Sequence, residues 1–318
     1  MKKSITHYSL LDTRYFLLTA FLFLFLLISP VFAAPTLYVI SDNPAETNIQ
    51  LEPLVEKLGQ QIPAQVVRLK PEDPKAVKFL KNFDRLPQLI YSDVSFKTLA
   101  KPFGNENAAR PYFRSIGFNT FAVSEKLLRP EKYIKRKAMP NRLDVFVMSD
   151  CPFGKAAMKY LAEHKINQKY EVHVHYIVNK NPKGKTGRYI PYRSLHGESE
   201  FFENLRQICV QEQAPDFYWS YPFAEKPEIR NDYFNKIKNK SIEDCYQTAN
   251  YRSKVYQLVD SDIKLTEELG ISSSPTFLFN NQNVYVGLGT VQKALNWPAI
   301  KGQPAGSAGS CNTLPVVK

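Results

Sequence analysis

Hydrophobic and polar positions along the chain predict one order of strands and helices, and this order occurs twice. In the first half, short apolar runs of strand type alternate with segments whose apolar residues recur at helical spacing. The predicted elements are a strand at 36–41, a helix at 49–60, a strand at 64–69, a helix at 74–83 and a strand at 85–92, which contains a proline. This β-α-β-α-β order indicates an α/β fold.

The second half predicts the same plan with a longer central connection. Its elements are a strand at 143–149, a helix at 154–164, a strand at 171–178, a hairpin at 271–288 with its turn at 280–283, and a short helix at 290–297. A proline again precedes the first strand of the hairpin. The total length of 318 residues is sufficient for about two domains.

Two local sequence matches support a tandem duplication. The stretch VISDNPAE at 39–46 matches VMSDCPFG at 147–154, and LPQLIY at 86–91 matches SPTFLF at 274–279. Both matches occur in the same order, as expected for two copies of one fold. Asn43 stands in the first copy where Cys151 stands in the second, and asparagine is no nucleophile in this setting. We therefore expect the first copy to be without redox activity.

The connection between 171–178 and the hairpin is about ninety residues long, which is too much for a simple loop. Its helical patterns lie at 198–213, 233–240 and 250–270. We therefore predict a helical insertion at about 190–268. Residues 301–318 are rich in glycine, serine, proline and alanine, which predicts a flexible tail.

The N-terminus has the pattern of a secretory signal peptide. Lys2 and Lys3 precede an apolar run at 16–28, and Val31 and Ala33 fit the small-residue positions of a cleavage site before Ala34. The alternative is an uncleaved membrane anchor, but the apolar run is shorter than the ~20 residues that span a bilayer. We predict export after cleavage of residues 1–33, with no later membrane span. A bacterial periplasm is the expected destination, and secretion is the alternative.

The chain is basic, with a formal net charge of +12 at pH 7. Such a balance is compatible with nucleic acid, anionic lipid or acidic partners. The charges are scattered over helices and loops, however, and form no block. We therefore expect a soluble protein with a positive surface and no nucleic-acid partner, and the sequence gives no indication of its oligomeric state.

Four cysteines follow the predicted cleavage site, and one of them lies in a motif. Cys151 and Pro152 come directly after the strand at 143–149 and directly before the helix at 154–164. An exported compartment permits disulfides, and four cysteines can form two bridges by three pairings.

This arrangement resembles the thioredoxin superfamily over both halves, and most clearly in the second. In that superfamily the motif cysteine begins a helix whose positive end stabilises a thiolate. A cis proline, matched here by Pro275, faces the thiol across a shallow groove. The resemblance implies that Cys151 and Pro275 are catalytic. The residues that it places at the substrate are Pro152, Phe153, Ser274 and Thr276, with the backbone of Ser274 pairing with a bound peptide.

The insertion narrows the resemblance. It contains His196-Gly197, Glu200 and Asn204 followed by Cys209, a pattern similar to the signature of the gamma-interferon-inducible lysosomal thiol reductases. Thioredoxin-like domains attached to bacterial vitamin K epoxide reductases and the broader DsbA-type families are also similar. The sequence departs from the lysosomal reductases at Phe201, which replaces a signature cysteine.

The resemblance also implies a structural disulfide between Cys209 and Cys245. Both cysteines lie in helical patterns of the same insertion, and exported helical caps are often linked in this way. The alternative is two buried free thiols.

Three hypotheses remain open for Cys151, because Gly154 replaces the second cysteine of the motif. Cys151 can act as a lone thiol whose mixed disulfides are resolved by an external thiol. Cys311 can be the resolving cysteine, or a resting bridge, carried by the tail. In the third hypothesis the site is degenerate and the domain is a binding scaffold. A local dithiol cycle is excluded in every case, since its second thiol is missing.

No cofactor and no metal is predicted. His173 and His175 share one face of a strand, but no third ligand accompanies them at a recognisable spacing. An ordinary polar strand face is the better interpretation.

The sequence thus predicts an α/β protein with two tandem thioredoxin-like domains. The predicted boundaries are a signal peptide at 1–33, a first domain without active-site cysteines at 34–138, a second domain with the helical insertion at 139–300, and the tail at 301–318. The predicted function is a single-cysteine thiol-disulfide oxidoreductase or isomerase that acts on protein disulfides through Cys151. Its partners would be polypeptide substrates or a thiol redox partner. The alternative is a catalytically inactive binding or assembly protein.

Overall fold

The computed structural model describes residues 34–42, 51–180, 191–247, 252–299 and 310–312. The predicted signal peptide at 1–33 and Asn43 lie outside these residues. Across these ranges, no helix combines the length and the apolar character needed to cross a membrane. Most strands belong to two larger sheets, one built from the first half of the chain and one mainly from the second.

The first sheet has the order β2-β1-β4-β6-β5. Its strands are β1 (Thr36–Ile40), β2 (Gln65–Leu69), β4 (Gln88–Ser92), β5 (Phe113–Gly117) and β6 (Thr120–Val123). β1 and β2 are parallel, and the remaining pairs are antiparallel. The helices of this half are α1 (Leu51–Gln61), α2 (Pro74–Leu80), α3 (Phe96–Ala100) and α4 (Glu106–Ala109).

The second sheet has the order β3-β7-β14-β13-β8-β9. Its strands are β3 (Arg85–Leu86), β7 (Lys132–Tyr133), β8 (Arg142–Val147), β9 (Glu171–Tyr176), β13 (Thr276–Phe279) and β14 (Asn283–Val286). β8 and β9 are parallel, whereas β13 is antiparallel to both β8 and β14. The four strands β14, β13, β8 and β9, at one end of this sheet, therefore repeat the order of β6, β4, β1 and β2 in the first sheet.

Most helices of the second half lie in the long connection between β9 and β13. They are α5 (Pro152–Glu163), α6 (Glu198–Gln213), α7 (Pro215–Tyr218), α8 (Pro227–Ile237), α9 (Lys240–Cys245), α10 (Lys254–Leu269) and α11 (Leu288–Ala294). Two strand pairs lie outside the larger sheets: β10 (Asn179–Lys180) with β11 (Tyr192–Arg193), and β12 (Ser273–Ser274) with β15 (Cys311–Asn312).

The predicted strand at 85–92 is divided in the structure, and its two parts join different sheets. The Leu86–Pro87 peptide bond is cis, and Pro87 has no N–H to donate to a ladder. β3 therefore ends before the proline, and β4 begins after it. The elements between 96 and 123 were absent from our sequence prediction, because short helices and a hairpin of mixed burial have no strong periodicity.

Arg85 and Tyr133 join the two halves of the chain. The Arg85 guanidinium donates to the carbonyl oxygens of Glu125 at 2.7 Å and Leu269 at 3.3 Å, and the Tyr133 hydroxyl also donates to Leu269. Gly270 has a φ of 64°, and a Cβ there would lie 2.6 Å from an Arg85 nitrogen. The first half thus contacts the end of α10 through buried polar groups.

The insertion helices pack around one large apolar core that also includes β8 and β9. α6 has the bounds that its periodicity predicted. The predicted helix at 233–240 was wrong in its bounds, because the Asn239 side chain accepts from the Ile242 N–H at 3.0 Å and so caps a new helix, α9. Cys209 of α6 and Cys245 of α9 form the disulfide implied by the resemblance.

The flexible tail predicted at 301–318 needs correction at its described residues. Cys311 and Asn312 form β15, and Cys311 is bonded to Cys151. A covalent link and a strand partner order this part of the tail, which composition cannot reveal. The other residues of the predicted tail lie outside the described ranges.

A charged cluster lies where β8, β9 and α10 meet. The His175 ring contacts carboxylate oxygens of Asp262 at 2.9 Å and Asp144 at 3.1 Å, and Arg142 binds Asp144 through two nitrogens. Burial works to lower the pKa of His175, but the hydrogen bonds to both carboxylates outweigh it and raise the pKa to about 9. Burial works to raise the pKa of Asp144, yet His175 and Arg142 lower it to about 2. The sequence predicts an ordinary polar strand face at His175. In the structure this residue makes an ionic contact with Asp262 of α10.

Replacing both Cys209 and Cys245 with alanine should lower the free energy of unfolding by roughly 3–4 kcal/mol, because the bridge closes a loop between residues 36 apart in sequence. Urea unfolding followed by the fluorescence of Trp219 and Trp297, both in the second half, measures this change. The Cys151–Cys311 bridge is present in both proteins and so does not contribute to the difference. A double variant as stable as the wild type would show that the bridge does not stabilise this half.

His175→Gln should lower the free energy of unfolding by about 3 kcal/mol at pH 6, since it leaves the buried Asp144 and the half-buried Asp262 without their shared cation. The raised pKa of His175 means that its contribution is complete below about pH 6.5 and is lost as the pH rises to about 9. The stability difference between wild type and variant should therefore shrink over this interval, as urea unfolding at pH 6, 7.5 and 9 would reveal. A difference that is constant with pH would contradict the charged state of His175.

Candidate functional site

Cys151 begins helix α5 directly after the turn that follows β8. It occupies the N-cap position with an extended backbone, and Pro152 takes the first helical position, where the missing N–H is not needed. The Cys151 side chain makes no capping hydrogen bond to this helix end, and the first N–H groups of a helix have no partner within the helix. Such an end stabilises a negative charge, which for a cysteine is the thiolate.

The Ser274–Pro275 peptide bond is cis and lies opposite Cys151. The Cys151 sulfur is 3.4 Å from the Ser274 carbonyl oxygen, and the Ser274 hydroxyl accepts from the Met148 N–H at 2.9 Å. Ser274 and Thr276 are both buried, and the Thr276 hydroxyl donates to the Ser273 carbonyl at 2.6 Å. The structure thus brings Cys151 close to Ser274 and the cis peptide bond of Pro275.

Gly154 cannot be replaced by a residue with a side chain unless its neighbours move. A Cβ at this position would lie 2.7 Å from the Ser274 hydroxyl oxygen and 2.8 Å from the Met148 carbonyl oxygen. Both distances are shorter than real Cβ contacts. The space that a second motif cysteine would need is therefore occupied by the loop before Pro275.

Cys311 supplies the sulfur that Gly154 lacks. It forms a disulfide with Cys151, and their Cα atoms are 6.1 Å apart. β15 pairs antiparallel with β12, with Cys311 opposite Ser274. Cys151 is completely buried beneath this strand, whereas Cys311 is half-buried.

The motif residues of the insertion hold the turn that precedes Cys151. Glu200 is completely buried and accepts from the Asp150 N–H at 3.0 Å, while its carboxylate also binds the His196 ring at 2.6 Å. Asn204 accepts from the Ser149 N–H at 3.1 Å. These side chains therefore position the backbone of the Cys151 turn and do not themselves contact the sulfur.

Arg230 provides a second connection between the insertion and the turn. Its guanidinium donates to the Asp150 carboxylate at 2.8 Å and to the Ser149 carbonyl at 3.4 Å, and it lies 3.5 Å from Glu203. Burial works to raise the pKa of Asp150, but Arg230, together with Lys155, outweighs it and lowers the pKa below its usual value. Asp150 is therefore a fixed negative charge beside the site.

No sequence motif marks Arg230 or Glu203 as a site residue. Arg230 lies in a helical segment that has no motif, and its role depends on a fold that brings α8 to the turn. Pro152 and Phe153, which the resemblance implied at the substrate, are exposed at the rim, with 46% of Phe153 accessible. In the part of the chain described, no three His, Cys, Asp or Glu side chains are grouped to hold a metal ion.

The chain matches no protein-family model, and no curated protein is similar to it in sequence. Solved structures that resemble it include the thiol-disulfide exchange protein alpha-DsbA2 from Wolbachia pipientis, at 15% identity and a TM-score of 0.34, over 51% of this chain and 87% of that one. ScsC from Proteus mirabilis in a transitional conformation is 16% identical with a TM-score of 0.33, over 52% and 69% of the two chains. Its compact conformation is 18% identical with a TM-score of 0.30, over 51% and 70%.

The fold of the second half follows from its own geometry. Four strands at one end of its sheet have the order β14-β13-β8-β9, with β8 and β9 parallel and joined through α5. Cys151 begins that helix, and a cis proline before β13 faces it. The second half of this chain thus has a mixed α/β fold in which a cysteine at a helix start faces a cis proline, with a helical insertion between β9 and β13.

Proposed function

We propose that this protein is an exported thiol-disulfide oxidoreductase that acts on protein disulfides or thiols through Cys151, with Cys311 as its intramolecular partner. The observation that carries the proposal is the position of Cys151. Its sulfur lies at the uncapped N-terminus of α5, opposite cis-Pro275, and in a disulfide with Cys311. A helix N-terminus favours the thiolate, which is both the attacking and the leaving form in disulfide exchange.

In the oxidised protein, a substrate thiolate attacks the half-buried Cys311 sulfur and forms a mixed disulfide with it. The bond to Cys151 breaks, and Cys151 leaves as the thiolate that α5 stabilises. A second substrate thiolate then attacks the substrate sulfur of the mixed disulfide and releases Cys311. Two electrons pass from the substrate dithiol to the protein disulfide. Reduction of a substrate disulfide follows a second route. The Cys151 thiolate attacks the substrate disulfide, forms a mixed disulfide and releases one substrate thiolate; the Cys311 thiolate then attacks the Cys151 sulfur, re-forms the Cys151–Cys311 bond and releases the other substrate thiolate.

We further propose that the chain consists of two thioredoxin-like domains, with boundaries near 34–138 and 139–300. The shared strand order of the two sheets and the two cis prolines, Pro87 and Pro275, support this proposal. Export to an oxidising compartment such as the periplasm is part of the same proposal. Two disulfides in one chain support it, because such bridges are rare in reducing compartments.

The second candidate function is a binding or assembly protein without catalysis. The complete burial of Cys151 favours this function, since a buried disulfide sulfur cannot be attacked directly. The two functions differ in whether opening of the Cys151–Cys311 bond yields a reactive thiol.

Cys151→Ser should abolish disulfide exchange with a scrambled or reduced model protein, because it removes the nucleophile. Cys311→Ser should retain attack on substrate but accumulate mixed disulfides at Cys151, since the resolving sulfur is absent. Mass spectrometry of trapped adducts and turnover measurements separate the two effects. The Cys209→Ala/Cys245→Ala variant is the control for loss of a disulfide away from the site.

In Cys311→Ser, the Cys151 thiol should also be alkylated readily at pH 6, where a free cysteine of pKa about 8.5 reacts slowly. Slow alkylation at pH 6 in a folded Cys311→Ser protein, together with wild-type turnover no faster than the uncatalysed background, would support the binding function instead.

Gly154→Cys should not create a local two-cysteine site, because its side chain would collide with Ser274 and with the Met148 backbone. We expect a loss of stability of about 1–3 kcal/mol, typical of overpacking, with Cys151 still bridged to Cys311. Thermal unfolding by circular dichroism and non-reducing peptide mapping test this. Gly59→Cys is the matched control, since nothing lies within 4 Å of a Cβ at that helical position. A stable Gly154→Cys protein in which Cys151 is bridged to the introduced cysteine would contradict the prediction.

A further inference from the structure

Each of the two cis prolines among the described residues has a neighbouring strand pair of the same kind. β3 ends immediately before Pro87 and pairs antiparallel with β7, and β12 ends immediately before Pro275 and pairs antiparallel with β15. Lys132 stands opposite the residue before Pro87, and Cys311 stands opposite the residue before Pro275. In both halves, a segment from later in the chain therefore pairs with the strand that leads into the cis proline.

The aligned turns hold these two segments by different bonds. In the first half, the Ser41 hydroxyl donates to the Glu131 carboxylate at 2.5 Å, and Asp42 pairs with Lys132 at 2.7 Å. Ser41 and Asp42 are the residues that match the Ser-Asp pair before Cys151. In the second half, the next residue of the turn, Cys151, forms the bond itself, as a disulfide to the segment.

The first segment is held permanently by its surroundings. Glu131 and Tyr133 are buried, and Tyr133 contacts the end of α10. The chain then continues through β7 into β8, so both ends of the segment are tied to the fold. No reaction is needed to keep it in place or to release it.

The second segment depends on its disulfide. β15 spans two residues, and Cys311 adds a half-buried side chain to the small apolar cluster around Cys151. The net gain from a backbone hydrogen bond is comparable with the entropy cost of ordering one residue, so two paired residues are not stable alone. The disulfide to Cys151 supplies the stabilisation that the pairing of two residues does not provide.

We propose that the segment around Cys311 is a redox-controlled pseudosubstrate of the Cys151 groove. This inference rests on the proposed function. In the oxidised state the segment occupies β12 and covers Cys151; reduction of the Cys151–Cys311 disulfide to two thiols by a dithiol reductant releases it. The vacated edge of β12 then accepts an extended, cysteine-containing polypeptide in the same antiparallel register, with its cysteine opposite Ser274. The segment thus keeps the groove closed until the protein is reduced.

Hydrogen exchange on the full-length protein tests the release. The amide of Asn312 should be protected in the oxidised form and should exchange at least tenfold faster after reduction with a dithiol. The amides of Lys132 and Tyr133 are the internal control, because the equivalent segment in the first half has no disulfide and should keep its protection in both states. Protection of Asn312 that survives reduction would overturn the proposal, and so would an unprotected Asn312 in the oxidised form.

A peptide probe tests the occupant. The probe has the sequence of residues 305–318, with its cysteine activated as a thionitrobenzoate mixed disulfide, and is added to full-length Cys311→Ser. We expect it to form an adduct at Cys151 about tenfold faster than a scrambled peptide with the same single cysteine. Equal rates for the two peptides, with Cys151 reactive toward both, would overturn the pseudosubstrate and leave the proposed function standing. A Cys151 that reacts with neither peptide nor with free thionitrobenzoate disulfide would overturn both.

Discussion

The close contact between the first turn of α5 and the loop before Pro275 sets the chemistry available to this protein. Gly154 lies so near the Ser274 hydroxyl and the Met148 carbonyl that the space for a second motif side chain does not exist. The partner of Cys151 must therefore come from another part of the chain or from another molecule. In the structure it comes from Cys311, which is 160 residues away in sequence. A disulfide of this kind links the redox state of the site to the position of a whole segment, which a bond within one helical turn cannot do.

Side chains of the insertion support the site by binding the backbone of the turn before Cys151. Glu200 and Asn204 accept the N–H groups of Asp150 and Ser149, and Arg230 binds the Asp150 carboxylate from a third direction. Buried polar groups of this kind are costly unless they are all satisfied, so the turn and the insertion stabilise each other. The Cys209–Cys245 bridge keeps α6 and α9 together and thereby supports the helix that carries Glu200 and Asn204. The likeness of this pattern to a thiol reductase signature thus has a structural explanation that does not require a cysteine at Phe201.

The two halves share the arrangement around their cis prolines, but the arrangement has a different role in each half. Both have a cis proline, a two-residue strand before it and a segment paired with that strand. In the first half the segment continues into β8 and joins the two sheets, with Arg85 and Tyr133 reaching the end of α10. In the second half the segment ends in a disulfide. The same strand pairing therefore joins the two sheets in the first half, and in the second half we propose that it opens when the disulfide is reduced.

A family resemblance supplied the relation between Pro275 and the thiol, whereas the sequence by itself determined the order of the main strands and helices, the position of Cys151 at a helix start and the bounds of α6. These features depend on local periodicity, turn chemistry and short motifs, which lie within a few residues of one another. Tertiary structure alone decided the division of the strand at Pro87, the role of Arg230, the charge shared by His175 and two aspartates, and the choice of Cys311 as the partner of Cys151. Each of these depends on which residues distant in sequence become neighbours, and no local pattern encodes that. The clash at Gly154 belongs to the second group, because a glycine in a sequence does not reveal what would stand against its side chain.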